Sequence, residues 1–554
     1  MSESRFWLKN YPPGVPANVD SSQYENLVEL IDEALKKHGS KPAFTCMGKS
    51  ISFSQLDKDS SNFGAYLQSR GLEPGDKIAI MMPNLLQYPI ALFGALRAGL
   101  TVVNTNPLYV PREMLHQFTD SEVKAIIILD NFAANLEKIL PETSIKTIIT
   151  TSIGELLGFA KGKVVNFVVK TVKGMVPKYN LPNPVSFSEA MKQGKKFSIK
   201  PFDNSRDRVI IHQYTGGTTG VSKGAMLTNH NLISTMLQIK AVVAPFLPKE
   251  RVVGLCPLPL YHVFAFAVNG LALFSLGANN ILVTNPRDIK KLVNEFKGNK
   301  IQLMTGVNTL FNALLHNKKF RAMDTSALNI TIGGGMAVQT PVAKEWEEVT
   351  GCYLAQGYGL TETCAIVSVN PFTNKTGKLG TIGLPFPSTD IKIIDKEGHQ
   401  LGLNEPGEIL AKGPQVMKGY YNRPEETGKT VIDGWLHTGD IGQIDEDGFL
   451  TIVDRKKDMI LVSGFNVFPN EIEDVLVAHP KILEIGAIGI PDEHSGEIVK
   501  VFIVKKDKSL TKKEVKAFAK ENLTGYKRPK VIEFINELPK SNVGKILRRK
   551  LRDL

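Results

Sequence analysis

Cysteine is scarce in this chain of 554 residues, which has four: Cys46, Cys256, Cys352 and Cys364. No two of them share the paired spacing of a metal site, and so few cysteines exclude a disulfide framework and fit a reducing compartment. The N-terminus lacks the apolar run of a signal peptide, so we expect a cytoplasmic protein. No internal repeat or low-complexity segment occurs either, which excludes repeat architectures.

Two common nucleotide-binding motifs are absent from the most glycine-rich stretch, residues 214–224. A Walker A loop ends in Gly-Lys-Ser/Thr, but Lys223 lies three places after Gly220, and the stretch contains no Gly-x-Gly-x-x-Gly. It holds four glycines, three threonines, one serine and one lysine after an apolar strand pattern at 209–211. Backbone N–H groups, hydroxyls and a lysine suit a polyphosphate. A flexible surface loop is the alternative.

Acidic residues are few near the C-terminus. The net charge is +12, and residues 501–554 contain 16 Lys and Arg against 6 Asp and Glu, so they carry +10 of it. A basic module of this kind favours an anionic partner such as nucleotide phosphates or anionic lipid, with a solvated surface as the alternative. Nucleic acid is disfavoured because the segment lacks interleaved stacking aromatics.

The order of apolar patterns predicts an α/β fold. Strand patterns at 77–82, 124–129 and 146–150 alternate with helical patterns at 21–39 and 83–99, which is typical of parallel sheets covered by helices. A β-rich region follows, and then a small α+β module with helices at 470–478 and 511–523 and strands at 485–490, 499–504 and 531–535. We therefore predict a large N-terminal domain at 1–454, a hinge at 455–458 and a C-terminal domain at 459–554.

Charged residues are missing from 252–286, and hydropathy alone would allow residues 260–278 to span a bilayer. Two prolines, His262 and Asn269 interrupt this run, so we expect a buried helix beside an apolar ligand tunnel instead.

Residues 158–178 combine valines on one helical face with lysines on the other. The valines are Val164, Val165, Val168, Val169, Val172 and Val176, and the lysines are Lys163, Lys170 and Lys173. Such a helix can lie in a membrane interface. An ordinary surface helix that packs its valines on the core fits the pattern equally well.

Four further stretches offer side chains suited to a nucleotide. Residues 331–337 follow a strand with bare glycine backbone, against which a flat ring can lie. Residues 356–363 bring an aromatic ring, hydroxyls and a carboxylate together, and residues 433–440 end in Asp440, which suits two sugar hydroxyls. Lys545 follows a glycine in the basic module. Each pattern alone is weak.

Together and in this order, these stretches resemble the adenylate-forming acyl-CoA synthetase family, from roughly Tyr24 to the C-terminus. Residues 433–457 are similar to the signature segment of fatty acyl-CoA synthetases. With residues 462–473 and the end around Lys545, they look closest to bacterial long-chain fatty-acid–CoA ligases. The resemblance implies that ATP activates a fatty carboxylate as acyl-AMP in the presence of Mg²⁺, and that the thiol of coenzyme A then takes the acyl group.

Site roles follow from the resemblance by motif position. The β- and γ-phosphates would be held by Thr215, Gly216, Gly217, Thr218, Thr219, Gly220 and Lys223. Adenine would lie against Gly333, Gly334, Gly335, Gln356, Gly357 and Tyr358, and the ribose would be held by Asp440 and Arg455. Thr361 would contact the α-phosphate and Glu362 would carry Mg²⁺, a cation that prefers oxygen ligands. Lys545 would bridge the carboxylate and the α-phosphate, and His262 would lie beside the acyl site unless it is a core histidine.

The family also implies a hinge, about which the C-terminal module rotates between the two half-reactions. Lys457 matches the hinge position, where many relatives have aspartate. Gly464 would then face the pantetheine tunnel, which a side chain would block.

Competing functions stay open at this point. A fatty acyl-AMP ligase that delivers to a carrier protein and an aryl- or medium-chain acyl-CoA ligase are the nearest alternatives. A non-enzymatic lipid-binding scaffold is disfavoured because Glu362, Asp440, Arg455 and Lys545 are all present. The expected partners are a long-chain fatty acid, ATP and coenzyme A, with peripheral attachment to the inner face of the cytoplasmic membrane; a homodimer is left open.

Overall fold

The computed structural model describes residues 5–215, 222–455, 458–463, 465–492, 495–541, 544 and 546–554. The strands in chain order are β1 (Pro42–Cys46), β2 (Lys49–Ser52), β3 (Lys77–Met81), β4 (Thr101–Asn104), β5 (Val123–Leu129), β6 (Thr147–Thr151), β7 (Val185–Ser186), β8 (Val209–Tyr214), β9 (Gly224–Thr228), β10 (Val253–Cys256), β11 (Asn279–Leu282), β12 (Leu303–Gly306), β13 (Ile330–Gly333), β14 (Leu354–Tyr358), β15 (Ser368–Val369), β16 (Leu384–Pro385), β17 (Asp390–Ile394), β18 (Gly407–Lys412), β19 (Gly419–Tyr420), β20 (Val431–Ile432), β21 (Trp435–Ile444), β22 (Leu450–Arg455), β23 (Ile460–Val462), β24 (Phe465–Val467), β25 (Ile482–Asp492), β26 (Gly496–Lys505) and β27 (Val531–Ile535).

The helices in chain order are α1 (Leu27–His38), α2 (Phe53–Ser69), α3 (Gln87–Arg97), α4 (Pro111–Asp120), α5 (Ala133–Ile139), α6 (Phe159–Phe167), α7 (Phe187–Gly194), α8 (Asn229–Val243), α9 (Val263–Ala265), α10 (Ile289–Gly298), α11 (Asn308–Leu315), α12 (Lys318–Arg321), α13 (Thr340–Thr350), α14 (Pro424–Thr430), α15 (Pro469–Val477), α16 (Lys512–Asn522) and α17 (Arg548–Arg552). Two π-helical segments, Val168–Val172 and Phe266–Leu273, continue α6 and α9.

Two large sheets form the body of the molecule. One has the strand order β19-β9-β8-β4-β3-β5-β6-β7, and the other β16-β15-β14-β13-β12-β10-β11-β1-β2. All pairings from β8 to β7 in the first sheet and from β14 to β1 in the second are parallel. The predicted α/β fold with parallel sheets is confirmed. The parallel arrangement matters for the site, because the loops that follow parallel strands all lie at the same edge of the sheet, where ligands bind.

Two helices begin later in the chain than the sequence predicted. Helix α1 begins at Leu27 rather than at residue 21, because the side chain of Asn26 accepts a hydrogen bond from the backbone N–H of Glu29 and caps the helix there. Its predicted stop is confirmed, since Gly39 takes a positive φ of 46° at the C-terminal end. Helix α3 begins at Gln87 rather than at residue 83, and the Asn84 side chain before it donates to the carbonyl of Leu258 at 2.9 Å.

Most of the uncharged stretch at 252–286 is buried, as expected for the helix predicted at 260–278. Every residue of the π-helical segment Phe266–Leu273 is buried, and this segment packs against α8. Within the described ranges, no helix is both long and apolar enough to cross a membrane. The apolar character of this stretch therefore reflects its place in the core of the second sheet.

Two valines of α6 and the π-helical segment after it do not pack on the core. Gly162 is its one buried residue, and a side chain there would meet the backbone oxygen of Gly154 at 2.3 Å, so glycine permits a close approach of the two backbones. Val164 and Val172 are 62% and 67% exposed. The interpretation as an ordinary helix with core-facing valines is wrong for these two residues.

A smaller sheet and a separate C-terminal unit complete the fold. Strands β17, β18, β21 and β20 pair in that order with β22 on β21, and β24, β23, β26 and β25 pair in that order with β27 on β26. The buried clusters of the C-terminal unit contain residues from Ile460 to Leu551 alone, so this unit has a core of its own. The division at residues 455–458 stays a prediction.

Candidate active site

The glycine-rich stretch at 214–224 connects two strands that pair as a β-hairpin. Strands β8 and β9 pair in antiparallel register with Tyr214 opposite Gly224. The N–H of Thr215 donates to the carbonyl of Lys223 at 2.9 Å, and the Ser222 hydroxyl donates to the carbonyl of Thr215 at 2.5 Å. The base of the hairpin is thus closed by hydrogen bonds. The predicted phosphate ligands Gly216, Gly217, Thr218, Thr219 and Gly220 lie outside the described residues.

Lys223, at the base of this hairpin, faces two groups from the segment around α14. Its ammonium lies 5.1 Å from the centre of the Tyr420 ring and 3.5 Å from a carboxylate oxygen of Glu426. The β-strand pairing of β19 with β9 brings Tyr420 here, since Tyr420 is opposite Ala225. Lys223 is therefore held as a partly exposed cation at the base of the hairpin.

Glu362 lies in a tight turn that requires unusual backbone conformations. Thr361–Thr363 form a 3-10 turn, after which Cys364 and Ala365 have φ values of 50° and 84°. A side chain at Gly359 would meet the carbonyl oxygen of Ala365 at 2.0 Å, so the turn needs glycine at that position. Such strained backbone is common at functional sites.

The carboxylate of Glu362 has a specific partner. The hydroxyl of Tyr420 donates to Oε1 of Glu362 at 2.6 Å. Burial, and then the charge of Glu362, raise the pKa of Tyr420 well above its ordinary value, so this hydroxyl stays protonated and donates. The hydroxyl of Tyr420 thus contacts Glu362, and the face of its ring lies against the ammonium of Lys223.

Tyr358 and Asp440 form a second hydrogen-bonded pair at the same segment. The Tyr358 hydroxyl donates to Oδ2 of Asp440 at 2.6 Å, and Asp440 is 4% exposed. Asp440 on β21 is directly opposite Arg455 on β22, which brings the two predicted ribose ligands side by side on adjacent strands. Tyr358 lies four positions before Glu362, so the two pairs are linked through one short stretch of chain.

The predicted adenine-binding glycines end strand β13. Gly333 is opposite Gln356 on β14, and the N–H of Gly334 donates to the carbonyl of Gly306 at 3.1 Å. Gly335 has a positive φ of 75°. Gln356 and Gly357 belong to β14, and the Gln356 side chain accepts from the N–H of Val338 at 3.1 Å. The structure thus brings these predicted residues to one edge of the second sheet.

His262 lies directly before α9 and is half-buried, with its N–H bonded to the carbonyl of Pro259 at 3.0 Å. Two residues later, the ring of Phe264 lies 3.0 Å from the position that a side chain on Gly334 would take. Gln213, two residues before Thr215, donates to the carbonyl of Tyr261 at 2.9 Å. The segment of His262 therefore lies between the glycine-rich hairpin and the strand edge at Gly334.

The C-terminal unit approaches this edge at Gly544. A side chain on Gly544 would lie 2.8 Å from Oγ1 of Thr309 and 3.2 Å from Val307, both just after β12. Lys545 itself, Lys457 and Gly464 lie outside the described residues.

Sequence reasoning missed Tyr420, Glu426 and the buried hydrogen-bond relay behind the hairpin. In that relay, the hydroxyl of Tyr88 donates to Asn104 at 2.6 Å, and Asn104 donates to Gln213 at 2.9 Å. No local pattern marks these residues, because each has its partner far away in the chain.

The donor set fits Mg²⁺ bound together with a nucleotide. Across the described residues no cluster of three or more His, Cys, Asp or Glu could hold a metal ion. Mg²⁺ does not need such a cluster, since it keeps several waters and is held by one or two carboxylates together with substrate phosphates. Glu362 supplies one such carboxylate, and the hairpin with Lys223 supplies a neighbouring site for phosphates.

These features together indicate the class of adenylate-forming enzymes. They are the body of parallel strands, the C-terminal unit with its own core, and the site at the strand ends that contains Glu362, Asp440 and Lys223. Residues 31–421 match the family model described as AMP-binding enzyme, and residues 471–545 match that of the AMP-binding enzyme C-terminal domain. The chain belongs to the AMP-binding enzyme family.

Similar proteins agree with this membership. A long-chain-fatty-acid–CoA ligase of Salmonella typhimurium is 53% identical over 551 residues, which cover 99% of this chain and 98% of the relative. The ligase of the same name from Haemophilus influenzae is 51% identical, with the same coverage. A crystal structure of an anthranilate CoA ligase in complex with anthranoyl-AMP superimposes with a TM-score of 0.86 at 23% identity, covering 97% of this chain and 98% of the other, and shows the fold.

Proposed function

We propose that this protein activates long-chain fatty acids to acyl-CoA through an acyl-adenylate. A carboxylate oxygen of the fatty acid attacks the α-phosphorus of ATP, and pyrophosphate leaves with the bridging oxygen. The sulfur of coenzyme A, having lost its proton, then attacks the acyl carbon, and AMP leaves with the electron pair of the broken C–O bond. The reaction uses ATP, Mg²⁺ and coenzyme A.

One observation carries the proposal: a continuous set of contacts links the residues predicted to bind ribose, adenine, metal and terminal phosphates. Asp440 is bonded to Tyr358, which shares a segment with Glu362, and Glu362 is bonded to Tyr420, whose ring lies beneath Lys223. The ribose, adenine, metal and terminal phosphates would meet these groups in turn. A continuous set of contacts of this kind supports a site built for one extended nucleotide.

The work of the site is to hold two anions together. Cationic and N–H donors that are already in place lower the cost of bringing a carboxylate to a triphosphate. The terminal phosphates would contact Thr215, Gly216, Gly217, Thr218, Thr219, Gly220 and Lys223. Adenine would lie by Gly333, Gly334, Gly335, Gln356, Gly357 and Tyr358, the ribose by Asp440 and Arg455, and the α-phosphate by Thr361. Mg²⁺, held by Glu362, would neutralise phosphate charge.

Two positions outside the described residues complete the proposal. Lys545 would neutralise the carboxylate and the α-phosphate in the first half-reaction, and Gly464 would leave room for pantetheine in the second. The domains would be 1–454 and 459–554, rotating about a hinge at 455–458 that contains Lys457. His262 would lie beside the acyl site, and two residues later the Phe264 ring lies 3.0 Å from the position that a side chain on Gly334 would take.

Product analysis tests this function. With palmitate, ATP and coenzyme A, we expect palmitoyl-CoA and AMP in equal amounts. Release of ADP, or no nucleotide turnover with any carboxylate, would contradict the proposal. Transfer to an acyl carrier protein but not to coenzyme A would favour the carrier-protein ligase, and turnover of aryl acids alone would favour an aryl-CoA ligase.

We further propose that the surface around α6 docks on an anionic membrane. Its exposed apolar residues are Phe159, Val164, Phe167, Val172 and Met175, and its lysines are Lys161, Lys163, Lys170, Lys173 and Lys178; we call these residues the α6 surface. Residues 158–178 contain no acidic residue. Exposed rings and aliphatic side chains flanked by lysines suit an anionic lipid interface. The enzyme would then lie in the cytoplasm against the inner membrane face; a homodimer stays a prediction.

Vesicle binding tests the α6 surface. Each lysine near an anionic bilayer contributes about 1 kcal/mol, so changing Lys163, Lys170 and Lys173 to glutamine lowers binding to phosphatidylglycerol vesicles on the order of 100-fold. The matched control changes three exposed lysines elsewhere, Lys36, Lys37 and Lys41, to glutamine. Equal losses in both triple variants, or no binding by the unaltered protein at low salt, would contradict the proposal.

A further inference from the structure

Tyr420 joins two groups that the proposed function assigns to separate tasks. It is 8% exposed, and its hydroxyl donates to Oε1 of Glu362 at 2.6 Å. The face of its ring lies 5.1 Å from the ammonium of Lys223, a distance at which a cation is attracted to an aromatic ring. One side chain therefore touches both the carboxylate expected to hold Mg²⁺ and the lysine expected to hold phosphate.

The backbone around Tyr420 fixes this position from both sides. Strand β19 pairs with β9, and the N–H of Tyr421 donates to the carbonyl of Gly224 at 2.9 Å, so the segment is attached to the strand that leaves the hairpin. On the other side, the N–H of Met417 donates to the carbonyl of Glu362 at 2.8 Å. The segment thus connects the hairpin to the turn of Glu362 through the backbone as well as through a side chain.

The start of α14 is anchored next to this segment to the end of α4, which is bonded in turn to β8 of the first sheet. Arg423 pairs with Asp120 at 2.7 Å, and the same carboxylate accepts from the hydroxyl of Tyr214 at 2.7 Å. Glu426, one turn further on, lies 3.5 Å from Lys223. Lys223 is held between the Tyr420 ring and Glu426, and both come from one anchored segment.

We propose that Tyr420 is a positioning residue that orients the Glu362 carboxylate toward the metal–nucleotide complex and supports Lys223 beside the phosphates. A carboxylate that accepts a hydrogen bond at one oxygen has its plane fixed, so its second oxygen points in one direction. The tyrosine hydroxyl fixes this plane and the ring limits where the lysine can go. The inference rests on the proposed function only in the roles of Glu362 and Lys223.

Metal binding in the presence of ATP tests the proposal without turnover. Mn²⁺, which replaces Mg²⁺ at oxygen sites and has a paramagnetic signal, is titrated into protein with ATP, and ATP alone is titrated in EDTA by calorimetry. For Tyr420→Phe we expect the dissociation constant of Mn²⁺ to rise about tenfold, as for the loss of a hydrogen bond to a charged group. The metal-free ATP constant should change less than about twofold, since the ring remains.

The matched control is Tyr421→Phe. Tyr421 is the next residue, and its hydroxyl also donates to a glutamate at 2.7 Å, but that glutamate is Glu122 and not the predicted metal ligand Glu362. We expect its Mn²⁺ and ATP constants to equal those of the unaltered protein. A third variant, Tyr420→Leu, removes the ring as well, so metal-free ATP binding should also weaken, by about threefold, through loss of support for Lys223.

A double variant, Tyr420→Phe with Glu362→Gln, distinguishes an effect of Tyr420 on the Glu362 carboxylate from a general destabilisation of the fold. If the tyrosine acts through Glu362, the double variant binds Mn²⁺ as weakly as Glu362→Gln alone. Three results would overturn the proposal. The first is that the two substitutions weaken Mn²⁺ binding additively. The others are that Tyr420→Phe weakens ATP binding equally with and without metal, or that it leaves the dissociation constant of Mn²⁺ unchanged. Because no fatty acid or turnover enters these titrations, a failure of the ligase function would be seen separately, in the product analysis.

Discussion

The Lys545→Ala enzyme is expected to lose acyl-adenylate formation by at least about 10²–10³-fold, the usual cost of removing one donor that stabilises developing charge. The first half-reaction brings a carboxylate to a triphosphate, and a cation between them offsets the repulsion. The second half-reaction starts from an acyl-AMP that is already formed. The variant should therefore still convert supplied palmitoyl-AMP and coenzyme A to palmitoyl-CoA at the normal rate.

Two assays separate these outcomes: palmitate-dependent exchange of pyrophosphate into ATP, and palmitoyl-CoA formation from purified palmitoyl-AMP. Lys540→Ala is the matched control, since this lysine lies in the same basic segment but pairs with Glu484 at 2.6 Å. We expect it to keep both activities. If Lys545→Ala retains pyrophosphate exchange, the assignment of Lys545 to the first half-reaction is wrong.

Gly464→Leu is expected to show the reverse pattern, with thioester formation reduced at least about a hundredfold and pyrophosphate exchange preserved. The reason is steric: we propose that the pantetheine arm passes this position in the second half-reaction, where a leucine side chain would block it. The strands on either side, β23 and β24, pair with Val462 opposite Phe465.

The same two assays test this variant, with Gly525→Leu as the control. Gly525 belongs to the C-terminal unit as well, and a side chain there would meet nothing within 4 Å. It should leave both half-reactions unchanged. If Lys545→Ala and Gly464→Leu each lose both half-reactions to the same degree, the hinge with two working positions is wrong.

The sequence predicted the parts of the fold that depend on local patterns. Short apolar strands such as residues 124–129 and cap residues such as Gly39 lie where periodicity and turn chemistry put them. The return strand β9 was missed, because its pairing with β8 depends on the closed base of the hairpin and its length is only Gly224–Thr228. Strand pairing depends on residues that are distant in sequence, so a local pattern does not predict it.

Helix α6 shows a second limit. A valine stripe predicts an amphipathic helix, but it does not say whether the protein covers that stripe. In the structure a π-helical segment follows α6 and Val172 stays exposed, whereas Gly162 of α6 lies close to the backbone of Gly154. Exposure is decided by neighbours that are distant in sequence.

Site residues that belong to a sequence motif could be predicted, whereas an isolated side chain outside any motif could not. Glu362, Asp440 and the glycines at 333–335 stand in recognisable stretches, and the structure brings Tyr358 and Asp440 into direct contact. Tyr420 was not predicted. It is one tyrosine of thirteen, and its partner Glu362 lies 58 positions earlier in the chain.

The most direct test of the account follows one oxygen atom. Palmitate labelled with ¹⁸O at both carboxylate oxygens is incubated with the enzyme, ATP, Mg²⁺ and coenzyme A, and the nucleotide product is analysed by mass spectrometry. If the carboxylate attacks the α-phosphorus, the attacking oxygen stays with the phosphate when the thiol takes the acyl group, so each AMP carries one ¹⁸O. Unlabelled AMP, or label in ADP or inorganic phosphate, would contradict an acyl-adenylate and with it the roles proposed for this site.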